Sequence, residues 1–439
     1  MSELEIEYTD KEITAYGGIA ILQKMLDKMS FTEFLRSIPL PQPLSNRGFD
    51  PIQIIIQFIV SIWCGAHRFE HLEVTRFDKV IQQLFGWDRM AGHRSFIRFF
   101  QKFTIEISTN VFSRIYKWFF NNLSFNNFTL DFDSTVITRY GDQEGSAKGY
   151  NPKKPGRKSH HPLLAFVADV HMVANFWLRS GAAHSANNFE AFLRESLSYL
   201  EHKRIGLLRA DSGFYSKEIF EIIESQAIDY IIACPMYITL QQKIFSQKAW
   251  LQLEEGVEIC EFNYQSPKWE TPRRIVTARQ KISVRPKATG KTLSLFEEDE
   301  ILRGYRFASY ITNLTLPPVE VWRLYRGRAN AENQIKELKY DFGLDKMNVR
   351  GFDATEASMN FIMVAYNLMS LFKQVIVKDK IKPTLKTLRF TTINVGSYIV
   401  QNGRNRILKM SVHMNRRNWI TRLWETIDTM NKPYINFSP

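Results

Sequence analysis

A change of period at Phe128 narrows the possible folds of this chain more than any other feature. Upstream of it, apolar residues recur at helical spacing; from it onward, FTLDFDSTV alternates as a strand. A long polar loop follows, then PLLAFVADV and NFWLRS, two further strand candidates with a short connection. Asn187–Lys203 has helical period, Ile205–Ala210 is a short apolar run ending at Asp211, Ser216–Gln226 is a helix, and Asp229–Cys234 is a strand. The order β-β-β-α-β-α-β predicts a hairpin-type start followed by right-handed crossovers, hence a mixed α/β sheet covered by helices. In that layout the first and fourth strands lie side by side and parallel. Their carboxyl ends, where open α/β sheets place sites, then bring Asp133 and Asp211 together.

The rest of the chain reads as attachments to this sheet. Gly17–Met29 and Phe31–Ser37 are short amphipathic helices, and Asp50–Pro51 caps and starts an apolar helix through Ala66. Glu73–Phe85 and Ser95–Phe120 follow as helices, the second carrying a Phe stripe that reads as core. These small helices are the candidate region for sequence-specific DNA contact. From Met236 to about Ser309 strand-like pieces replace the alternation, with Ala288–Glu300 as an exposed loop. Pro317 and Pro318 introduce a helix, and Ala354–Phe372 is a further apolar one. The tail from Ile376 holds twelve Lys or Arg against three acids, the pattern of a phosphate-facing or subunit-bridging extension. These shifts predict a helical N-terminal DNA-binding domain (1–125), an α/β catalytic domain in two parts (126–235 and 311–375), a β-rich insertion (236–310) and a basic helical C-terminal region (376–439).

Charge and cysteine usage narrow the partners. The formal charge of +13 favours a polyanion, because each neutralised phosphate releases condensed counterions. The apolar run Ile54–Ala66 is short of the ~20 residues a bilayer needs, so no membrane partner is expected. The start MSELEIEYTD is acidic and lacks the apolar centre of a signal peptide. Cys64, Cys234 and Cys260 are far apart and odd in number, which suits neither a disulfide framework nor a zinc cluster and fits a reducing cytoplasm.

The chemistry concentrates in Leu324–Lys339, LYRGRANAENQIKELK. Read as one helix, it places Tyr325, Arg328, Glu332 and Lys339 within about 60° of one another, a carboxylate among a ring and two cations. Asp133 and Asp211 after two strands and Glu332 on this helix are three carboxylates able to serve hard divalent ions. Two such ions about 3.5–4 Å apart activate the attacking oxygen and stabilise the leaving one in phosphodiester transfer. The loop Gly145–His161 carries Lys148, Lys153, Lys154, Arg157 and Lys158 and no acid, a candidate DNA-backbone contact. His67 and His71 stand four apart on a helix but lack a third ligand and read as structural; His160 and His161 have no role fixed by their spacing.

The pattern Y-x₂-R-x₃-E-x₆-K at Tyr325, Arg328, Glu332 and Lys339, with FDST at 132–135 and RADSGF at 209–214, resembles the DDE transposases of bacterial insertion sequences. QEGSAKGYNPKKPGRKSHHPLLAF and AENQIKELKYDFG resemble insertion-sequence family thirteen-eighty in particular, and the resemblance runs from about 128 to 372. It implies a ribonuclease-H-like fold in which Asp133, Asp211 and Glu332 bind two Mg²⁺ (or Mn²⁺) ions and are catalytic. Asp131 is the rival for the first position; the Ser-Thr after Asp133 matches the family's Asp-x-Thr better. Tyr325, Arg328 and Lys339 match positions that hold the DNA backbone, and the β-rich insertion can supply an aromatic for a flipped base, Trp250 or Trp269 here, unless these are packing residues. Implied too are binding of terminal inverted repeats, end cleavage, joining of 3′-OH ends to target DNA, a homodimer, and a nucleoid-associated place in the bacterial cytoplasm. The alternatives are a catalytically silent DNA-binding derivative and a structure-selective nuclease on the same fold.

Overall fold

The period change at Phe128 marks a boundary in the computed structural model, which describes residues 4–282 and 304–436. The chain divides into two compact units, one of Met1–Leu123 with Lys336–Ile435, the other of Ser124–Ile335 with the last residues.

The first unit is built on phenylalanine. Asp50 caps the apolar helix Pro51–Trp63 by accepting from the Ile52 amide at 2.9 Å. Its Phe58 meets Phe69, Phe96 and Phe100, and Phe361 joins Phe100, Phe103 and Phe112 at ring separations of 5.1–6.0 Å. The Phe stripe is therefore core. It is carried by two helices where the sequence suggested one: His93–Phe100 stops and Ile105–Asn121 starts afresh at Thr104, whose hydroxyl caps the Ile107 amide. The expected Glu73–Phe85 helix likewise breaks at Asp78, which caps Lys79–Leu84 and so ends the preceding 3₁₀ turn Phe69–Thr75. Helical period survives such breaks because a cap costs only one turn.

Through this core runs Phe352–Leu371, extended to Val377 by a wider π turn. Phe352–Val377, unlike the shorter run Ile54–Ala66, is by length and composition apolar enough to cross a bilayer, but 89% of its apolar window is buried within the protein. The basic C-terminal region is not wholly helical. Ser397–Asn402 and Asn405–Met410 form a hairpin, with Gly403 supplying the positive φ of its tight turn, before the helix Met414–Asp428.

The second unit is organised by one mixed sheet. Its strands in chain order are β1 (Phe128–Ser134), β5 (Leu163–Val167), β6 (Met172–Trp177), β7 (Ile205–Ala210), β8 (Tyr230–Ala233), β9 (Leu251–Glu254), β10 (Val257–Tyr264), β11 (Arg273–Lys281) and β12 (Tyr305–Thr312); β2 (Ile137–Thr138), β3 (Ala147–Lys148) and β4 (Lys158–His160) form a separate small sheet. The spatial order is β6-β5-β1-β7-β8-β12-β11-β10-β9. β1 runs parallel to β7 with Asp131 opposite Arg209 and Phe132 opposite Ala210, the adjacency expected of the first and fourth long strands. β5 and β6 lie antiparallel on its other side. The strands of segment 236–310 are β-rich as expected, yet they extend this same sheet: β12 pairs antiparallel with β8 through Tyr310–Thr312. The expected loop Ala288–Glu300 lies outside the described residues.

Candidate active site

Strand alternation sends Asp131 and Asp133 to one side of β1 and Phe132 to the other, where its ring meets Phe189, Phe192 and Phe214. The two aspartates then part company. Asp131 is fully buried and closed by Arg209, whose Nε and Nη2 reach its two oxygens at 2.6 and 2.8 Å while Nη1 donates to the Leu324 carbonyl. A buried bidentate pair of this kind satisfies both partners and leaves no oxygen for a metal.

Asp133, only 5% exposed, faces Arg328 instead: its Oδ2 lies 2.9 Å from Nη2, while Oδ1 accepts from the Ser134 amide. Asp211 follows β7 directly and caps the short turn Ser212–Phe214, accepting from the Gly213 amide at 2.9 Å. A Cβ at Gly213 would stand 2.8 Å from Ser185 Oγ and 3.0 Å from Asp211 Oδ1, so the turn that presents this carboxylate requires glycine. The same Arg328 Nη2 lies 4.0 Å from Asp211 Oδ2, and Nη1 lies 3.6 Å from Glu332 Oε1. One guanidinium thus stands among the three carboxylates picked out from the sequence. Burial raises the pKa of Asp133 to about 7; Arg328 opposes the rise, and the charges of Asp211 and Glu332 add to it.

The helix carrying this arginine differs from expectation. Leu324–Lys339 is not one helix: Pro318–Arg326 ends at Gly327, and Ala329–Tyr340 begins after Arg328. A Cβ at Gly327 would lie 2.5 Å from Arg209 Nη1, whose position is locked by Asp131, so the close approach requires glycine at this junction. Tyr325 ends the first of these helices, its side chain largely buried beside Arg328 and Asp211. Its ring centroid lies 4.3 Å from that of Tyr310, and its hydroxyl points to the Ala210 carbonyl at 3.4 Å. Glu332 is in the first turn of the second helix, and Lys339, half-buried, is in its last.

The remaining predicted residues fall into place as follows. Lys148 and Lys158 are exposed on β3 and β4, and Lys153, Lys154 and Arg157 are exposed between them, so the expected loop is a small three-stranded sheet. Lys158 pairs with Asp142 at 2.9 Å. His160 is buried, receiving Arg139 Nε at 3.0 Å, and His161 contacts Ser134 Oγ at 3.1 Å and the Ala183 carbonyl at 2.8 Å. Trp269 is buried against Phe220 and Tyr264, and Trp250 lies under the Arg279 guanidinium, 4.0 Å from its ring centroid. Both are engaged in packing. Among the described residues no group of three or more His, Cys, Asp or Glu is arranged as a metal site; Arg328 occupies the space the carboxylates share.

Sequence reasoning missed Arg209. A signal was present: an arginine inside an apolar strand run must find a buried acid.

Among curated proteins, none matches this chain significantly. Among solved structures it is similar to the piggyBac transposase in its synaptic complex with hairpin DNA, at 10% identity and a TM-score of 0.47, over 87% of this chain and 81% of that one. The family model for the transposase DDE domain, group 1, matches residues 1–432, so this chain belongs to that family of DDE-domain transposases.

Proposed function

We propose that the chain is the transposase of a bacterial insertion sequence, of the thirteen-eighty type, with a ribonuclease-H-like catalytic sheet. It binds the terminal inverted repeats of its own element, hydrolyses the phosphodiester at each end and joins the freed 3′-OH to target DNA. The observation that carries this reading is the convergence of Asp133, Asp211 and Glu332 on one guanidinium, from a strand, a strand end and a helix far apart in sequence. Strand order and the parallel β1–β7 pair support the fold assignment.

The residues fit a divalent metal. The donor set is all hard oxygen, and Asp133 is a buried carboxyl whose pKa is raised by burial first and by the charges of Asp211 and Glu332 after it, an excess of negative charge that a divalent cation would offset. Asp133, Asp211 and Glu332 would hold two Mg²⁺ or Mn²⁺ ions, which when bound supply a Lewis acid for the attacking and leaving oxygens. Arg328, beside all three carboxylates, is placed to bind a phosphate oxygen. Tyr325, whose hydroxyl points to the Ala210 carbonyl next to Asp211, is a further contact for the DNA backbone beside the carboxylates. Lys339 and the exposed cations of the small sheet are further backbone contacts. Two ends must be processed together, which calls for a homodimer, and the substrate places the protein at the nucleoid.

A labelled terminal-repeat duplex incubated with the protein and Mg²⁺ tests this. Nicking plus joined products is the expected result. Nicking without joining makes the protein a nuclease on this fold, and a mobility shift without cleavage makes it a silent DNA-binding derivative; either outcome overturns the proposal.

A further inference from the structure

The sheet carries Asp133 and Asp211 on neighbouring strands but does not fix the distance between them. The parallel register of β1 and β7 ends at Phe132 opposite Ala210, one residue short of both carboxylates. Beyond that pair Asp133 is still held by β5, opposite Leu164, while Asp211 has left β7 for the turn it caps. Carboxylates that share ions must be placed to within about half an ångström, so another contact has to span the gap.

Ser185 spans it. Its Oγ lies 2.8 Å from Ser134 Oγ, and the Ser134 amide in turn donates to Asp133 Oδ1 at 2.8 Å. On its other side Ser185 packs against Gly213, so closely that a Cβ there would stand 2.8 Å from the serine Oγ and 3.0 Å from its Cβ. The Gly213 amide is the donor to Asp211 Oδ1. One side chain, in a residue only 7% exposed, thus touches the residue that orients each carboxylate.

Ser185 belongs to residues 181–188, a run of turns between β6 and the helix Phe189–Leu200, and side chains rather than a ladder fix that run. Arg179 Nη1 donates to the carbonyls of His184, Ser185 and Asn187 at 3.0, 3.3 and 3.0 Å, and its Nε donates to the His161 carbonyl at 3.0 Å. The His161 ring reaches the Ala183 carbonyl through Nδ1 at 2.8 Å and Ser134 Oγ through Nε2 at 3.1 Å. A carbonyl only accepts, so Nδ1 carries the proton. The Nε2 of the neutral ring then accepts from the Ser134 hydroxyl, which leaves Ser134 Oγ to accept from Ser185. Arg179 is electrostatically unfavourable where it stands. Burial lowers its pKa to about 10, and among the described residues neither a carboxylate nor, at Nη2, any hydrogen-bond partner answers its charge. An apolar side chain would satisfy packing alone; gathering four carbonyls takes a guanidinium.

We propose that Ser185 is a positioning residue, a brace that sets the spacing of Asp133 and Asp211 for a pair of divalent ions, with Arg179 and His161 locking the loop that carries it. The inference rests on the two-metal reading above and deepens it, because the loop and not the sheet then decides how the two carboxylates meet the ions.

The test is Mn²⁺ titration calorimetry on the full-length chain without DNA, beside cleavage of a repeat duplex over a range of Mn²⁺ concentrations. Ser185→Ala is expected to weaken Mn²⁺ binding by about tenfold or more and to raise the Mn²⁺ concentration for half-maximal cleavage by a similar factor. The metal-free Tm is expected to fall by no more than roughly 4 °C, since only one neutral hydrogen bond is lost. Ser134→Ala breaks the same contact from its other side, so it is expected to match Ser185→Ala, and the double variant to bind Mn²⁺ no more weakly than either. Unchanged Mn²⁺ affinity in Ser185→Ala, or losses that add in the double variant, overturn the brace and leave the transposase reading standing. Weakened, non-additive Mn²⁺ binding in a protein whose unmodified form does not cleave the repeat does the reverse. An unmodified chain that neither binds Mn²⁺ nor cleaves removes both.

Discussion

Two aspartate–arginine pairs stand two residues apart on one strand, and they are completed in opposite ways. Arg209 gives two nitrogens to the two oxygens of Asp131 and a third to a backbone carbonyl. Arg328 is shared among three carboxylates at 2.9, 3.6 and 4.0 Å, and its buried Nε has no hydrogen-bond partner. The first pair is neutral and finished. The second leaves a net negative cluster that one guanidinium does not balance; Asp133 resists ionisation first because it is buried, and the charges of Asp211 and Glu332 add to that. Two identical side chains on one face of a strand thus serve a structural and a chemical end, and the arginine that meets each one decides which.

The largest effect that separates them is on chemistry. Asp133→Asn, Asp211→Asn and Glu332→Gln are each expected to lower cleavage of a repeat duplex by about 10³-fold or more, because several kcal/mol of transition-state stabilisation go with each ligand. Duplex binding measured in parallel stays within a few-fold; cleavage retained in any one removes that residue from the set.

Stability sharpens the contrast in the other direction. Asp131→Ala leaves Arg209 buried without a counter-charge and is expected to cost about 3–5 kcal/mol in urea unfolding. Asp133→Asn relieves crowding among like charges, so it is expected to lie within about 1 kcal/mol of the parent. Equal losses at the two positions would erase the distinction.

Sequence patterns reached the three acids but could not have chosen between Asp131 and Asp133 on physical grounds. The deciding partner, Arg209, is 78 residues away, and only the parallel β1–β7 register sets it opposite. Likewise, Tyr325, Arg328 and Glu332 were legible as a stripe because helical spacing carries through the turn at Gly327, and Tyr325 stays within electrostatic reach of Arg328, Asp211 and Asp133. The sheet was legible as far as β8, where strands and helices alternate. Its continuation through β12 was not, because an antiparallel addition at an edge leaves no periodic mark in the chain. The small sheet was hidden for a simpler reason: strands of two or three residues are too short to show alternation.

A third prediction concerns the shared guanidinium. If Arg328 holds the space of a cation, Arg328→Met is expected to raise Mn²⁺ affinity without DNA by about tenfold, read by calorimetry, while weakening duplex binding. Unchanged Mn²⁺ affinity would mean that guanidinium and metal do not contend.

The smallest effect belongs to Glu73 in the first unit, a carboxylate that is well served like Asp131 but partly exposed. Burial pushes its pKa up, but hydrogen bonds from the His93 amide, from Arg76 and from the His93 ring outweigh this and hold it down at about 2. A depressed folded value gives stability that is present above the ordinary carboxylate range and lost as pH falls toward 2. Glu73→Gln is thus expected to cost about 1 kcal/mol at neutral pH, a drop of roughly 2–4 °C in Tm, with the gap to the parent closing in acid.

The helical unit is assembled from both extremities of the chain, and that has a cost during synthesis. Trp63 donates through its indole nitrogen to the carbonyl of Ala365, 302 residues later, and Tyr116 waits for Asn360. At ribosomal speeds of about 5–20 residues per second, that gap lasts roughly 15–60 s. Throughout it the phenylalanine-bearing helices wait without their central partner, while the carboxylate-bearing portion, which ends at Ile335, is being made between them. The opening quarter of the chain therefore holds its apolar faces uncovered longest during synthesis, and aggregation on overproduction is expected to begin there.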